Sequence, residues 1–158
     1  MTSFDAMNLF AEQLKRNVIN GKKYKTKVVV TPSSVSEKGV ILKVSLLKTV
    51  PDKTYQAKTK QRTVRLRVQV TGRAESQTGL QQAVELIENL DKYLDSENLR
   101  LEEPIEAANG MQSFSRIPNT RITQTLSPED SFIDSPDSTS VQDVEDNRII
   151  DITIPMEE

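Results

Sequence analysis

The chain has 158 residues, of which 35% are hydrophobic and 4% aromatic, and it contains no Trp, Cys or His. The missing Cys and His exclude disulfides, thiolate zinc sites, Cys nucleophiles and every mechanism that needs a histidine base. Chemistry would have to rest on Asp, Glu, Lys, Tyr or Ser, so we expect no enzyme activity and no cofactor. No apolar run approaches the roughly 18 residues of a membrane span, which favours a cytoplasmic protein without a membrane partner.

The net charge of −2 hides a strong division along the chain. Residues 15 to 73 hold sixteen Lys or Arg against two acids, a net of +14, whereas residues 74 to 158 hold five basic residues against nineteen acids, a net of −14. The two charged parts could attract each other inside one fold. They could also recognise an oppositely charged partner, including the next copy of the same chain.

Apolar residues near the amino terminus recur at helical spacing and predict an amphipathic helix over residues 3 to 19. They are Phe4, Met7, Phe10, Ala11, Leu14 and Val18. Ser3 is placed to cap this helix and Gly21 to end it. A basic strand is predicted at residues 24 to 31. A second strand at 40 to 48 is apolar on nearly both sides, which indicates a central position in a sheet.

Residues 62 to 71 have the clearest strand pattern of the chain. Val64, Leu66 and Val68 alternate with Arg65 and Arg67, which predicts one buried side and one cationic side. We expect this strand to pair with the second strand as an antiparallel hairpin, with a long polar tip at residues 50 to 61.

A second amphipathic helix is predicted at residues 76 to 94, with Glu85, Glu88 and Asp91 facing outward. A short strand at residues 98 to 102 should follow. Residues 104 to 146 are rich in Ser, Pro and Asp and predict an extended acidic loop, with one or two edge strands between residues 114 and 126. Alternation of Arg148 with isoleucines predicts a last strand before Pro155.

The predicted fold is therefore a single α+β domain over residues 1 to 158. It has a mixed or antiparallel sheet of about four strands, two amphipathic helices packed on one face, and long polar loops. The buried layer should contain Phe10, Leu14, Val64, Leu66, Val68, Leu80, Val84, Ile87, Ile150 and Ile152.

No motif in the sequence indicates a cofactor or a metal. The run from Asn20 to Lys23 lacks the spacing of a phosphate-binding loop. Acidic clusters, including Asp143, Glu145 and Asp146, have no EF-hand spacing and are expected to be solvated. The cationic strand side could follow a nucleic-acid backbone, but it lacks the aromatic residues on which bases stack.

The cationic side and the hairpin tip are instead predicted to form a protein interface or to be ordinary solvated side chains. We assign no catalytic residue. The interface candidates are Lys53, Tyr55, Lys58, Lys60, Arg65 and Arg67.

The run VRLRVQVTGRAES, which begins at Val64, joins a long alternating strand through a polar turn to the second helix. This arrangement, with the order helix, three strands, helix, polar segment and strand, resembles the tail-terminator (tail-completion) proteins of long-tailed bacteriophages. The resemblance covers most of the chain and lies in element order. It implies a homohexameric ring on the head-proximal end of a tail tube, in contact with the tube and the neck, within a virion assembled in the host cytoplasm.

Two other functions fit the same sequence. Another tail, neck or baseplate adaptor would share a ring but bind different neighbours. A nucleic-acid-binding module would use the cationic strand side, without sequence specificity, and its affinity would fall steeply with salt.

Overall fold

The computed structural model describes residues 1–19, 27–30, 40–51, 61–74, 76–106, 110, 112–126, 132–134 and 142–155. Helix α1 spans Ser3–Leu14 and continues as one π-helical turn over Lys15–Ile19; helix α2 spans Gln77–Leu94. The strands are β1 (Lys27–Val30), β2 (Val40–Pro51), β3 (Gln61–Ala74), β4 (Glu102–Glu106), β5 (Gln112–Arg116), β6 (Arg121–Leu126), β7 (Phe132–Asp134) and β8 (Gln142–Pro155). The predicted α+β fold class is confirmed.

The main sheet is mixed and has the order β1-β2-β3-β8-β6, with β7 also paired to β8. Strand β1 runs parallel to β2, and the other pairs are antiparallel. The four strands predicted from the sequence form β1, β2, β3 and β8, and β6 and β7 extend the sheet beyond them. Strands β4 and β5 form a separate two-stranded hairpin.

One face of the main sheet is buried under the helices. Val64, opposite Ile152, and Leu66, opposite Ile150, are fully buried, as are Phe10 of α1 and Leu90 of α2. All belong to one hydrophobic cluster, so both helices lie against this inner face. The opposite side, called the outer face, carries the residues that alternate with these: Lys43, Arg65, Arg67, Gln69, Asn147, Ile149 and Asp151.

The predicted buried layer is largely confirmed. Eight of its ten members are buried, and the two exceptions, Leu80 and Val84, are half-buried. Leu86, which was not in the predicted stripe, is fully buried instead. The buried side of α2 is therefore rotated slightly from the predicted one, while Glu85, Glu88 and Asp91 face outward as expected.

The cap of α1 differs from the prediction. Thr2, not Ser3, is the cap: the Asp5 N–H donates to the Thr2 hydroxyl at 3.1 Å, and the Thr2 N–H donates to the Asp5 carboxylate at 2.9 Å. Hydrogen bonding of the Asp5 carboxylate to the Thr2 N–H, and to the Thr2 side chain, lowers the pKa of Asp5. Ser3 is nearly buried and donates to the Thr49 hydroxyl at 2.9 Å, which ties α1 to β2. The predicted stop at Gly21 lies outside the described residues.

Within residues 104 to 146, the predicted edge strands between residues 114 and 126 are confirmed by β5 and β6, whereas the prediction of an extended loop is wrong for the rest of the part that the structure describes. Strands β5, β6 and β7 lie within this range, and β8 begins at Gln142 rather than at Arg148. The short strand predicted at residues 98 to 102 is instead β4 at Glu102–Glu106. A proline is tolerated there because β4 pairs only with β5, so Pro104 removes no hydrogen bond from a central ladder.

Candidate protein interface on the outer face of the sheet

The structure describes two of the six predicted interface residues. Arg65 and Arg67 occupy successive outward positions of β3, as the alternation predicted. Lys53, Tyr55, Lys58 and Lys60, together with most of the predicted tip at 50 to 61, lie outside the described residues. Strands β2 and β3 on either side of that tip do form the predicted antiparallel pair.

Arg65 is engaged within its own chain. Its guanidinium donates twice to the carboxylate of Asp151, its cross-strand neighbour on β8: the Nε–Oδ1 distance is 2.9 Å and the Nη2–Oδ2 distance is 3.0 Å. The hydrogen bonds and the charge of Asp151 raise the pKa of Arg65. A fork-shaped pair of this kind fixes the orientation of both side chains. Arg65 therefore holds β3 to β8 and offers little free charge to a partner.

Arg67 is an exposed cation of β3. It lies between Ser45 of β2 and Ile149 of β8, and it makes no ion pair with any residue that the structure describes. Lys43 and the exposed Lys48 on β2 likewise have no described ion-pair partner. These lysines were missed because β2 was interpreted as apolar on nearly both sides. Their signal was present in the alternation of Lys43 with its buried neighbours.

A bulge in β2 adds an apolar residue to this cationic area. The register shifts between Leu46, opposite Leu66, and Lys48, opposite Arg65, so Leu47 is the extra residue of the bulge. Leu47 is 39% exposed, and Ile149 is half-buried beside Arg67. We call this area the basic patch; its members are Lys43, Leu47, Lys48, Arg67 and Ile149.

Polar and charged side chains along β8 on the outer face are paired with neighbours on the same face. Arg73 pairs with Asp143 at 2.9 Å, the Gln69 side-chain amide donates to Oδ1 of Asn147 at 2.5 Å, and Nδ2 of Asn147 donates to the Glu145 carboxylate at 2.8 Å. The outer face is thus divided into a basic patch over β2 and β3 and a polar area with acidic residues along β8.

A buried charge network lies on the inner face of β8. Arg148 is 2% exposed and Asp146 is fully buried, although the sequence predicted a solvated acid at position 146. Arg148 Nε donates to Asp146 at 2.8 Å, and its Nη1 donates to Asp91 of α2 at 2.7 Å. The prediction for Asp146 is wrong because Asp146 and Arg148 occupy inward positions two residues apart and neutralise each other.

The network keeps its arginine charged. Burial alone would lower the pKa of Arg148, but hydrogen bonds to Asp146 and Asp91 outweigh it, so the pKa of Arg148 is raised. An arginine of this kind is not deprotonated and cannot act as an acid or a base, and its donors are directed at groups of the same chain. Its role is to join α2 to β8. The sequence signal was the alternation of Arg148 with Ile150 and Ile152.

The β4–β5 hairpin is fixed to the helical side of the molecule. Its aromatic residue Phe114 lies under the guanidinium of Arg16, 3.6 Å from ring centre to Cζ, and Arg16 also contacts Glu102 at 3.4 Å. The fully buried Gln13 amide holds the start of β4: it accepts from the Glu102 N–H at 3.0 Å and donates to the Arg100 carbonyl at 2.9 Å.

Gln13 also joins the two helices. Its amide donates to the Tyr93 hydroxyl of α2 at 2.7 Å. Burial raises the pKa of Tyr93, an effect that the hydrogen bond from Gln13 opposes, so this phenol stays protonated at neutral pH. Both the oxygen and the nitrogen of the Gln13 side-chain amide therefore have hydrogen-bond partners, as a buried amide requires.

No arrangement suited to catalysis or metal binding was found among the described residues. A cavity of about 510 Å³ lies between the end of α2 and β6, and its polar lining includes Asp91, Asp95 and Arg121. Within the described part of the chain, no three Asp or Glu residues are grouped as a metal site would need. No described helix is both long and apolar enough to cross a membrane.

No protein-family model matches the chain, and a search of curated proteins finds no significant match.

Proposed function

We propose that this chain is a structural assembly protein of a bacteriophage tail, a tail terminator whose copies form a hexameric ring. The ring would cap the tail tube and join it to the neck. The observation that supports this proposal is the distribution of charge that remains after the contacts within the chain are made. Among the described residues, cations without an ion-pair partner remain on the outer face of the sheet, and carboxylates without one remain on α2, the α2–β4 connection and the hairpin.

Part of the charge division is neutralised inside the fold. Arg16 pairs with Glu102, Arg65 with Asp151 and Arg73 with Asp143, and each pair joins the basic part of the sequence to the acidic part. The sequence therefore overstates the charge available to a partner. Only the charges that remain after these ion pairs form are available for contacts between copies.

The outer face keeps cations without an ion-pair partner, whereas α2, the α2–β4 connection and the hairpin keep carboxylates without one, interspersed with the exposed Lys92, Arg100 and Arg116. Lys48 and Arg67 are exposed on the outer face, whereas α2 covers the inner face, so its exposed Glu88 lies away from them. Further exposed carboxylates lie on the α2–β4 connection and the hairpin; they are Asp95, Glu97, Glu103 and Glu106. None of these carboxylates forms an ion pair with a residue in the described ranges.

This separation favours head-to-tail contacts. A two-fold dimer through the basic patch would bring like charges together, which is unfavourable. A contact between the basic patch of one copy and an acidic surface of the next is favourable, and repetition of such a contact closes a ring when the rotation allows it. The geometry therefore supports a cyclic assembly better than a symmetric dimer.

A nucleic-acid-binding function is less well supported. Asp143, Glu145 and Asp151 lie on the same outer face as Arg67 and would repel phosphates. A different tail or neck adaptor would share the ring, so it differs from a terminator only in the proteins that it binds.

Negative-stain electron microscopy of the purified chain tests the proposal. We expect closed rings with six-fold averages and a central channel, of uniform size, with no open filaments. Single small particles at every protein concentration and salt concentration would contradict it. Binding of single-stranded DNA that weakens steeply with salt, without rings, would support the nucleic-acid alternative.

A further inference from the structure

The β4–β5 hairpin has one side held by the molecule and one side without a described partner. Pairing of Pro104 with Phe114 places both on the side that Arg16 contacts, where Phe114 remains 37% exposed. Ile105, opposite Ser113, and Glu103, opposite Ser115, lie on the other side. Ile105 is 45% exposed, more than Leu47 at 39%, and Glu103 is exposed as well.

The hairpin is also weak as an independent structure. It has two short strands and pairs with no strand of the main sheet in the described residues. A two-stranded hairpin is marginally stable in water unless one of its sides is packed. An exposed isoleucine flanked by a carboxylate is therefore expected to gain stability from a surface that covers it.

The basic patch has the complementary composition. Its exposed apolar residue is Leu47, its exposed cations are Lys48 and Arg67, and no described hairpin residue pairs with these cations within the chain. An apolar contact surrounded by opposite charges is the usual anatomy of a specific protein interface.

We propose that the Ile105 side of the β4–β5 hairpin of one copy docks on the basic patch of the next copy. Ile105 packs against Leu47, and Glu103 faces Arg67 of the neighbouring subunit. This inference rests on the proposed ring and names the surfaces that form it. Arg16 and Gln13 hold the hairpin in place from the other side, so the docking element is presented in a fixed orientation.

A charge-exchange experiment tests the docking. We expect Glu103→Arg and Arg67→Glu, each alone, to weaken assembly at least roughly tenfold, because each places like charges in contact. The variant that carries both substitutions should recover most of the assembly, since the pair is restored in reverse. Mass photometry over a dilution series measures the assembly, and circular dichroism verifies that each variant is folded.

Lys92→Glu is the matched control. Lys92 is exposed on α2, so this substitution makes the same change in net charge as Arg67→Glu but away from the proposed interface. It should leave the assembly unchanged. Ile105→Ser is a second, uncharged test and should weaken assembly in the same direction.

The outcomes separate this inference from the proposed ring. If the wild-type chain forms rings and neither single charge reversal weakens them, the docking surfaces are wrong while the ring stands. The same conclusion follows if both single variants fail to assemble and the double variant does not recover. If the wild-type chain forms no ring under any condition, both proposals are overturned.

Discussion

The two faces of the main sheet carry the same kind of ion pair in very different surroundings. On the inner face, Arg148 and Asp146 are 2% and 0% exposed and lie between the sheet and α2. On the outer face, Arg65 and Asp151 are 36% and 16% exposed and bridge β3 and β8. Strand β8 contributes to both ion pairs, so a main difference between them is how deeply they are buried.

The difference shows how charge is used in this fold. A buried pair is stable only while both partners are present, because either charge alone would be buried without compensation. A pair near water contributes little free energy, since solvent screens it. The inner pair therefore belongs to the folding of the molecule, whereas the outer face can change its charges without loss of the fold and is suited to contacts between subunits.

The largest expected effect comes from breaking the inner pair. Arg148→Leu leaves the buried Asp146 carboxylate without its arginine and should lower the free energy of unfolding by about 3–5 kcal/mol. Urea denaturation followed by circular dichroism measures this change. The double variant Arg148→Leu/Asp146→Leu is the control and should recover most of the loss. A loss below about 1 kcal/mol in the single variant would contradict the assigned role of the network.

A smaller loss of stability is expected from replacing Gln13, whose buried side-chain amide is uncharged. Gln13→Leu replaces the side chain with one of similar size but leaves the Glu102 N–H and the Arg100 carbonyl without their partner. This should lower the free energy of unfolding by about 2 kcal/mol. Hydrogen exchange should show faster exchange of the Glu102 amide than in the wild type. Unchanged protection at this amide would mean that Gln13 does not anchor β4.

The smallest effect is expected on the outer face. Arg65→Ala removes the fork-shaped pair with Asp151 and should lower the free energy of unfolding by less than about 1 kcal/mol, because both side chains are accessible to water. The same denaturation experiment measures it, with high salt as the control, since screening should reduce the difference further. A loss as large as that of Arg148→Leu would abolish the distinction between the two faces.

Local patterns in the sequence determined the centre of the fold. The alternation in β3 placed Arg65 and Arg67 on the outer face and Val64 on the inner face correctly, and the helical spacing of α2 placed Glu88 outward. These predictions were correct because backbone geometry sets the two-residue repeat of a strand and the 3.6-residue repeat of a helix. They do not depend on what packs against the element.

The rest depends on contacts between distant residues. Edge strands were expected only between residues 114 and 126, where β5 and β6 lie, and β7 was missed because its three residues are too few to show a periodicity. The burial of Asp146 follows from its pairing with Arg148, which the acidic composition of this segment does not reveal. The partners of Arg65 in β8 could not be predicted either, since they are set by the sheet register.

The central claim is that copies of this chain assemble head to tail through complementary charges. Light scattering of the wild-type chain at low and at high salt measures its mass most directly. We expect a closed oligomer near six copies at low salt that dissociates as salt rises, because screening weakens contacts between exposed charges. A monomer at both salt concentrations would contradict it.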